Sequence, residues 1–484
     1  MEFKDLSTEL QVLIFGNLGC RKATRALCNA RRVCRRWNEL ATACLFQTIT
    51  IKHPPDGDFE RWNAMLDSHA IRKAARRVVI YSHPEDLSDR DLDVWNDWGD
   101  DGYYPAFTGA IGRIVDLPNI TDLILRFSKN CWGVEQDLEQ KVWGWEDCEI
   151  EITTTRLRTL EAVFEAVRKR ATNHPDHSTI RSLTIKNLQN FPLPEFASSS
   201  LFKAVTESID TLHLLVAEEC NDASPDYDVE CIERRTFEPF LHRGYLTPLA
   251  DQLTSLTLYF GECWGTIPGF FDGKGLIFPR LRKLALGYFV ISHHDHLDWV
   301  LAQSSLISLH LDTCYIVTYL KIGREHLEKW NMPLHDWVEF PDALGLDGAE
   351  SDYEVCYTFS GTWETVFDRV HTSLPKLADF RFRHDKEGLC FLHPDLPRTT
   401  DLSKSRYVGF HSGLIPSPWI EAEANGNIPH ALEDLDDLNA MSPQNQDIAK
   451  SIMNRSKENE GGDMRAYEAL LRVTRERRSS VQAA

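Results

Sequence analysis

The chain has 484 residues, 42% of them hydrophobic and 26% charged, the balance of a globular protein long enough for more than one structural unit. Its formal charge of −20 argues against general binding to nucleic acid or to an anionic membrane, since both would repel it. The 12 cysteines include no C-x-x-C pair, which leaves neither a disulfide framework nor a paired-ligand zinc site. The acidic opening, Met1-Glu-Phe-Lys-Asp-Leu6, lacks a signal-peptide pattern, and no apolar run approaches the roughly 18 residues of a spanning helix. A cytoplasmic or nuclear setting with reduced thiols is expected.

Taken in order, residues 1–46 read as helical. Leu10, Leu13, Ile14 and Leu18 recur at spacings of three and four and make one apolar helix face, with Ser7 or Thr8 as cap and Thr8-x-x-Gln11 as a capping box. Gly16 to Gly19 breaks the pattern. A short helix is expected around Lys22–Cys28, then a third from about Arg31 to Leu45 with the stripe Val33, Trp37, Leu40, Ala41 and Cys44. Between Arg21 and Arg36 lie seven Lys or Arg residues and no acid. That run suits an acidic partner, a solvated helix face or, more weakly, a nuclear-import or nucleic-acid role.

Residues 47–425 carry an internal repeat. Seven segments fit apolar-x-x-apolar-x-apolar: Ile120/Leu123/Leu125, Ile180/Leu183/Ile185, Ile209/Leu212/Leu214, Leu253/Leu256/Leu258, Leu281/Leu284/Leu286, Leu306/Leu309/Leu311 and Leu377/Phe380/Phe382. Phe46/Ile49/Ile51 and Ala75/Val78/Ile80 are candidate further copies. The segment at Leu306 runs on to Cys314 and completes the L-x-x-L-x-L-x-x-C pattern of a leucine-rich repeat. Amphipathic stretches at Leu160–Arg170, Leu201–Glu207, His296–Ala302 and Trp363–Val370 lie between copies. Strand–helix alternation of this kind stacks into a curved solenoid. Ile180 to Ile209, Leu253 to Leu281 and Leu281 to Leu306 are 29, 28 and 25 residues, whereas gaps of 44, 60 and 71 elsewhere imply insertions or unrecognised repeats. Residues 426–484 are polar and read as a flexible tail, in which Met464–Arg477 could form one amphipathic helix through Tyr467, Leu470, Leu471 and Thr474.

Leu6-Ser-Thr-Glu-Leu10, Ile14-Phe15, Leu18 and then Val33-Cys34-Arg35-Arg36-Trp37-Asn38-Glu39-Leu40-Ala41 resemble an F-box, of the kind that fungal-type F-box proteins carry ahead of leucine-rich-repeat-like domains. The closing Val-Cys-Arg-Arg-Trp is the specific part. The sequence departs from the family pattern at Ser7, where proline is usual; serine can cap the same turn. The resemblance implies that three helices dock on the adaptor subunit of a cullin–RING ubiquitin ligase, through Leu6, Leu10, Ile14, Phe15, Leu18, Val33, Cys34, Trp37 and Leu40. A helical unit of about 40 residues is too small to bury all its apolar side chains alone, which agrees with docking. Trp37 reads equally as an internal anchor between helices.

The resemblance makes the repeat region a receptor for a target protein. Strand alternation names its outward positions: Ile124, Thr184, His213, Thr257, Ala285, His310 and Arg381 in one row, Arg126, Lys186, Leu215, Tyr259, Gly287, Asp312 and Arg383 in the next. The binding candidates among them are Arg126, Lys186, His213, Tyr259, His310, Asp312, Arg381 and Arg383. Aromatic residues in the insertions offer a second surface or simply cover the sheet edges: Trp95, Trp98, Tyr103, Tyr104, Trp132, Trp143, Trp145, Trp264, Phe270, Phe271 and Trp330. No nucleotide-loop, dinucleotide, hydrolase-elbow or zincin motif occurs. In the dense cluster His293-His294-Asp295-His296, adjacent side chains diverge, and Asp295 reads as a helix cap in preference to a metal ligand. The expectation is an α/β protein: a three-helix F-box, then an irregular leucine-rich-repeat-like solenoid of short parallel strands and helices, then a flexible tail. It has no catalytic residues, metal or cofactor, and recruits a protein for ubiquitination. The rival reading is a scaffolding protein whose F-box binds the adaptor without delivering substrates.

Overall fold

Where apolar and polar residues alternate, the chain forms short strands whose side chains point by turns to opposite faces. The structure is a computed structural model and describes residues 6–18, 24–53, 59–83, 104–132, 150–217, 232–340, 354–383, 402, 406–411, 419–421 and 443–483. Two compact units divide it: Met1–Cys131 with Cys148–Leu188 and Glu195–His213, and Trp132–Asp147 with Gln189–Pro194 and Leu214–Ala484. No boundary falls at residue 46. The N-terminal helices α1 (Thr8–Leu18), α2 (Thr24–Ala30) and α3 (Arg35–Leu45) belong with the first strands, because α3 packs on the helix His69–Ala74.

In the first unit β1 (Thr48–Ile51), β2 (Arg77–Tyr81), β3 (Asp122–Arg126) and β4 (Ser182–Gln189) pair in parallel. Ile49, Val78, Leu123 and Leu183 stand opposite one another, as do Ile51, Ile80, Leu125 and Ile185. None of these eight is more than 6% exposed. Both candidate further copies of the repeat therefore fall into the same register. The helix Thr153–Asn173 (α4) sets Leu160, Val163, Phe164 and Val167 inward. Its buried Arg156 donates to the carbonyls of Ser128 and Asn187 at 2.7 and 2.5 Å and so ties the residues after β3 to the last part of β4. The division between the units falls inside β5 (Thr211–Ala217).

The second unit repeats the scheme with β6 (Ser255–Trp264), β7 (Lys283–Ile291), β8 (Ser308–Asp312) and, after β9 (Tyr315–Gly323), β10 (Trp337–Phe340) and β11 (Glu354–Phe359), the strand β12 (Asp379–Arg383). Leu256, Leu284, Leu309 and Phe380 align across β6, β7, β8 and β12, and Leu258, Leu286, Leu311 and Phe382 follow two residues later. The long gap before the Leu377 copy holds a side arm. β9 pairs in parallel with Val290 and Ile291 at the end of β7, and antiparallel with β11, which pairs with β10. β13 (Tyr407–His411) lies parallel to β9 and carries β14 (Trp419–Glu421) on its other edge. The sheet forks because β7 outruns β8. Asn187, Tyr288 and Thr313, each two residues past the second inward residue of its copy, have φ of 57°, 61° and 54°. A left-handed residue at that place breaks the inward–outward alternation inside β4 and β7, at Asn187 and Tyr288, and comes just past the end of β8 at Thr313.

The C-terminal region departs from the expectation of a flexible tail. Residues 426–442 lie outside the described residues, but Pro443–Ala483 is one helix, α6, packed on α5 (Trp363–Ser373). Tyr467 sits among Phe367, Phe380 and Phe382, and Leu470 is fully buried. Buried Arg406 reaches Asp463 at 2.8 Å and Ser456 at 2.7 Å, while Asp463 also accepts from the Tyr407 hydroxyl and the Glu364 amide, each at 2.8 Å. The polar composition hid this contact because its anchor is an ion pair flanked by a narrow apolar stripe.

Two outcomes follow. Leu309→Ala should cost about 2–5 kcal/mol, as emptying a leucine site does, and Arg381→Ala on the outward row less than about 1 kcal/mol. Equal losses in denaturant melts would contradict the alternation. Asp463→Ala leaves the Arg406 charge buried and unpaired, so about 3–5 kcal/mol should be lost. A variant that unfolds at the parent's urea midpoint would show that the pair does not hold α6.

Candidate functional site

The N-terminal module is built around Phe15. Gln11 and Phe15, one turn apart on α1, face inward, and Phe15 packs with Leu27, Ala30 and Ala41. Trp37 meets the Phe15 ring edge to face at 5.5 Å, and Leu40, Cys44 and Leu45 close the cluster. With that face turned in, the stripe read as apolar points outward: Leu10, Leu13 and Ile14 are 48%, 61% and 38% exposed. α3 begins at Arg35, later than expected, because Arg32 and Val33 donate back to Asn29 and Ala30 in a turn that leaves Val33 61% exposed. Ile14, Ala26, Asn29, Val33 and Trp37 rim a groove floored by Phe15 and Ala30.

Of the expected docking residues, Leu10, Ile14, Val33 and Cys34 are exposed, while Leu6, Trp37 and Leu40 are half-buried. Phe15, expected among the docking residues, is 1% exposed and fills the space between the three helices, where it floors the groove. The side chain of Leu18 lies outside the described residues. Leu13, Ala26 and Asn29 were not assigned to docking from sequence; for Leu13 the spacing of three from Leu10 was the available signal. Arg25, Arg32, Arg35 and Arg36 are exposed in or beside the turn, Arg35 near Glu39 at 3.5 Å, so part of the basic run is a solvated face.

The outward row of the sheets divides sharply. In the first unit, Arg126 at the end of β3 places Nη1 3.2 Å from the Tyr81 hydroxyl, and Lys186 stands opposite it on β4. Burial, and then the Arg126 charge, pull the Lys186 pKa down. Half-buried His213 has its pKa lowered by burial against the pull of Asp122. In the second unit the expected recognition groups are engaged with one another. The Tyr259 ring crosses the bare Cα of Gly287, where a side chain would collide with it, and its hydroxyl donates to Asp312 on the strand beyond. Asp312, expected to be available, is only 8% exposed. His310 Nε2 lies 3.0 Å from Asp379, which also accepts from Ser308 at 2.9 Å. Burial pushes the Asp379 carboxyl up, but hydrogen bonds from His310 and Ser308 and the Arg381 charge hold it well below the usual range. Arg381 is exposed and Arg383 half-buried.

Two sequence alternatives are narrowed. Among the aromatic residues of the insertions, Tyr104, Trp264, Phe271 and Trp330 are core side chains, Phe270 is half-buried, and Trp95, Trp98, Tyr103, Trp143, Trp145 and the side chain of Trp132 lie outside the described residues. In the histidine cluster, His293 and His296 are buried neutral groups. His296 accepts from the Ser292 amide and hydrogen-bonds the Phe271 carbonyl at 2.9 Å, and His293 meets the Pro333 carbonyl at 2.7 Å. Asp295 does not cap the following helix, whose cap residue is Leu297; it lies 3.4 Å from His335, which is 3.6 Å from Asp336. That trio and His174, Asp176 and His177 are the described groups whose ligand atoms lie close enough to hold a metal ion.

Burial lowers the pKa of His293 to about 4 and of His296 to about 3. Both lie below the unfolded value, so the unfolded chain binds more protons as pH falls below about 6.5. Stability should then decline from about pH 6.5 towards 4, by up to about 1.4 kcal/mol per pH unit for each group. His296→Gln should flatten that slope in urea melts at stepped pH; an unchanged slope would place the titration elsewhere.

No helix is long and apolar enough to cross a membrane among the described residues. Residues 5–52 match the family model described as F-box-like. No curated protein matches the chain.

Proposed function

We propose that the protein is the substrate-recognition subunit of an F-box-type cullin–RING ubiquitin ligase, and that the chemistry is done by other subunits. One observation carries the reading: in the segment similar to F-box-like domains, the module fills its own core with Phe15 and leaves Leu10, Ile14 and Val33 exposed, the last two on the rim of a groove. Three large apolar side chains exposed on one small module call for an external partner, and an adaptor subunit supplies it. The parallel strands, one inward pair per copy, support an irregular leucine-rich-repeat-like solenoid as the receptor for a target protein. Such a receptor needs a rigid face with a few anchors rather than a catalytic centre.

Leu10→Ala with Ile14→Ala should abolish co-purification with the adaptor while the melting temperature stays within a few degrees of the parent. Phe15→Ala should instead unfold the module, at a cost of about 3–5 kcal/mol. Unchanged adaptor capture by the double variant would sink the docking mode.

A further inference from the structure

The outward row at the ends of β1 to β4 gathers cations on one aromatic ring. Tyr81 ends β2; its partner on β3 is Arg126, whose partner on β4 is Lys186. Lys52 follows β1 directly. Its Nζ lies 5.1 Å from the centre of the Tyr81 ring, and the Arg126 guanidinium carbon lies at the same distance. Lys52 and Tyr81 belong to copies of the repeat from which no outward candidates were drawn, so sequence reading missed half of this row.

No carboxylate pairs with Arg126 or Lys186 among the described residues; Asp122, the acid of β3, stands at the other end of that strand and is engaged by Arg77 at 3.2 Å. Like charges directly opposite on neighbouring strands repel, and partial burial strengthens the repulsion because less water screens it. The depressed Lys186 pKa agrees with that crowding. Elsewhere the outward row satisfies itself, as Tyr259 does with Asp312 and His310 with Asp379. Here it does not.

We propose that the row Lys52–Tyr81–Arg126–Lys186 binds a carboxylate-rich segment of a partner polypeptide. The proposal rests on the receptor reading above and adds to it the chemical class of segment received. Four strands about 4.8 Å apart spread the row over about 14 Å. Charges in a line suit several carboxylates along an extended chain, whose alternate side chains recur about every 7 Å, better than one anion held at a point. Nucleic acid is disfavoured because its long run of phosphates would meet a chain of net charge −20.

The test uses the full chain and fluorescence anisotropy with three probes: a short labelled glutamate-rich peptide, a glutamine-rich peptide of equal length and a short DNA duplex. The glutamate peptide should bind, more weakly as salt rises, and the glutamine peptide should not. Arg126→Gln with Lys186→Gln should weaken the glutamate peptide by about tenfold or more, without lowering the melting temperature, since a repulsion is removed. Lys52→Gln alone, placed just off the strand, should give a smaller loss and guards against a folding artefact. Absence of glutamate-peptide binding, equal binding by the folded double variant, or DNA bound as tightly as the peptide would each overturn the proposal. Adaptor capture is measured on the same samples. If it fails while peptide binding persists, the docking reading falls and the basic row stands; if it persists while peptide binding fails, only the present proposal is lost.

Discussion

A single short strand cannot bury its own apolar side chains, so each copy of the repeat depends on meeting its neighbour in register. Leu284 has to stand between Leu256 and Leu309, and Leu286 between Leu258 and Leu311. A slip of one residue would turn both inward leucines to solvent and bring Ala285 or His310 into the core. Within each unit the same constraint sets the parallel direction, the placement of helices between strands and the outward row. It also fixes where repetition stops. Once β7 extends past β8, its last residues have no partner from the repeat, and β9 takes them as the root of an antiparallel side arm.

That outward row is uneven in what it leaves for a ligand. Gly287 lets the Tyr259 ring lie across a whole strand to Asp312, which removes two candidate recognition groups at once. His310 and Asp379 engage each other, and Arg478 of α6 also reaches Asp379. By contrast Arg126 and Lys186 face each other across a strand pair with no acid between them. The outward side chains of the sheet thus differ in whether they pair among themselves.

The N-terminal module obeys a related rule at a smaller scale. Three short helices enclose one large ring, Phe15, and have no interior left for the leucines beside it on α1. An apolar stripe, which in a larger domain would face the core, here faces outward. The exposed leucine and isoleucine follow from having more apolar side chains than a module of this size can cover.

Periodicity in the sequence identified the inward residues correctly across both units, including the copies at Ile49 and Val78, because spacing along a strand is a local property. It also located the closing Val33–Ala41 run and the amphipathic stripe through Tyr467 and Leu470. It could not say that the α1 stripe faces solvent, since helical spacing reports that a face exists and not what lies against it. Nor could it read the C-terminal anchor: Arg406 and Asp463 are 57 residues apart and polar, and a charged pair leaves no apolar signal in the chain. The alternation of inward and outward residues was determined by the sequence alone, through the two-residue period of the strand. Which outward residues are consumed by neighbours and which remain for a partner was decided by the tertiary structure, because it depends on distances between side chains that come together only when the strands align.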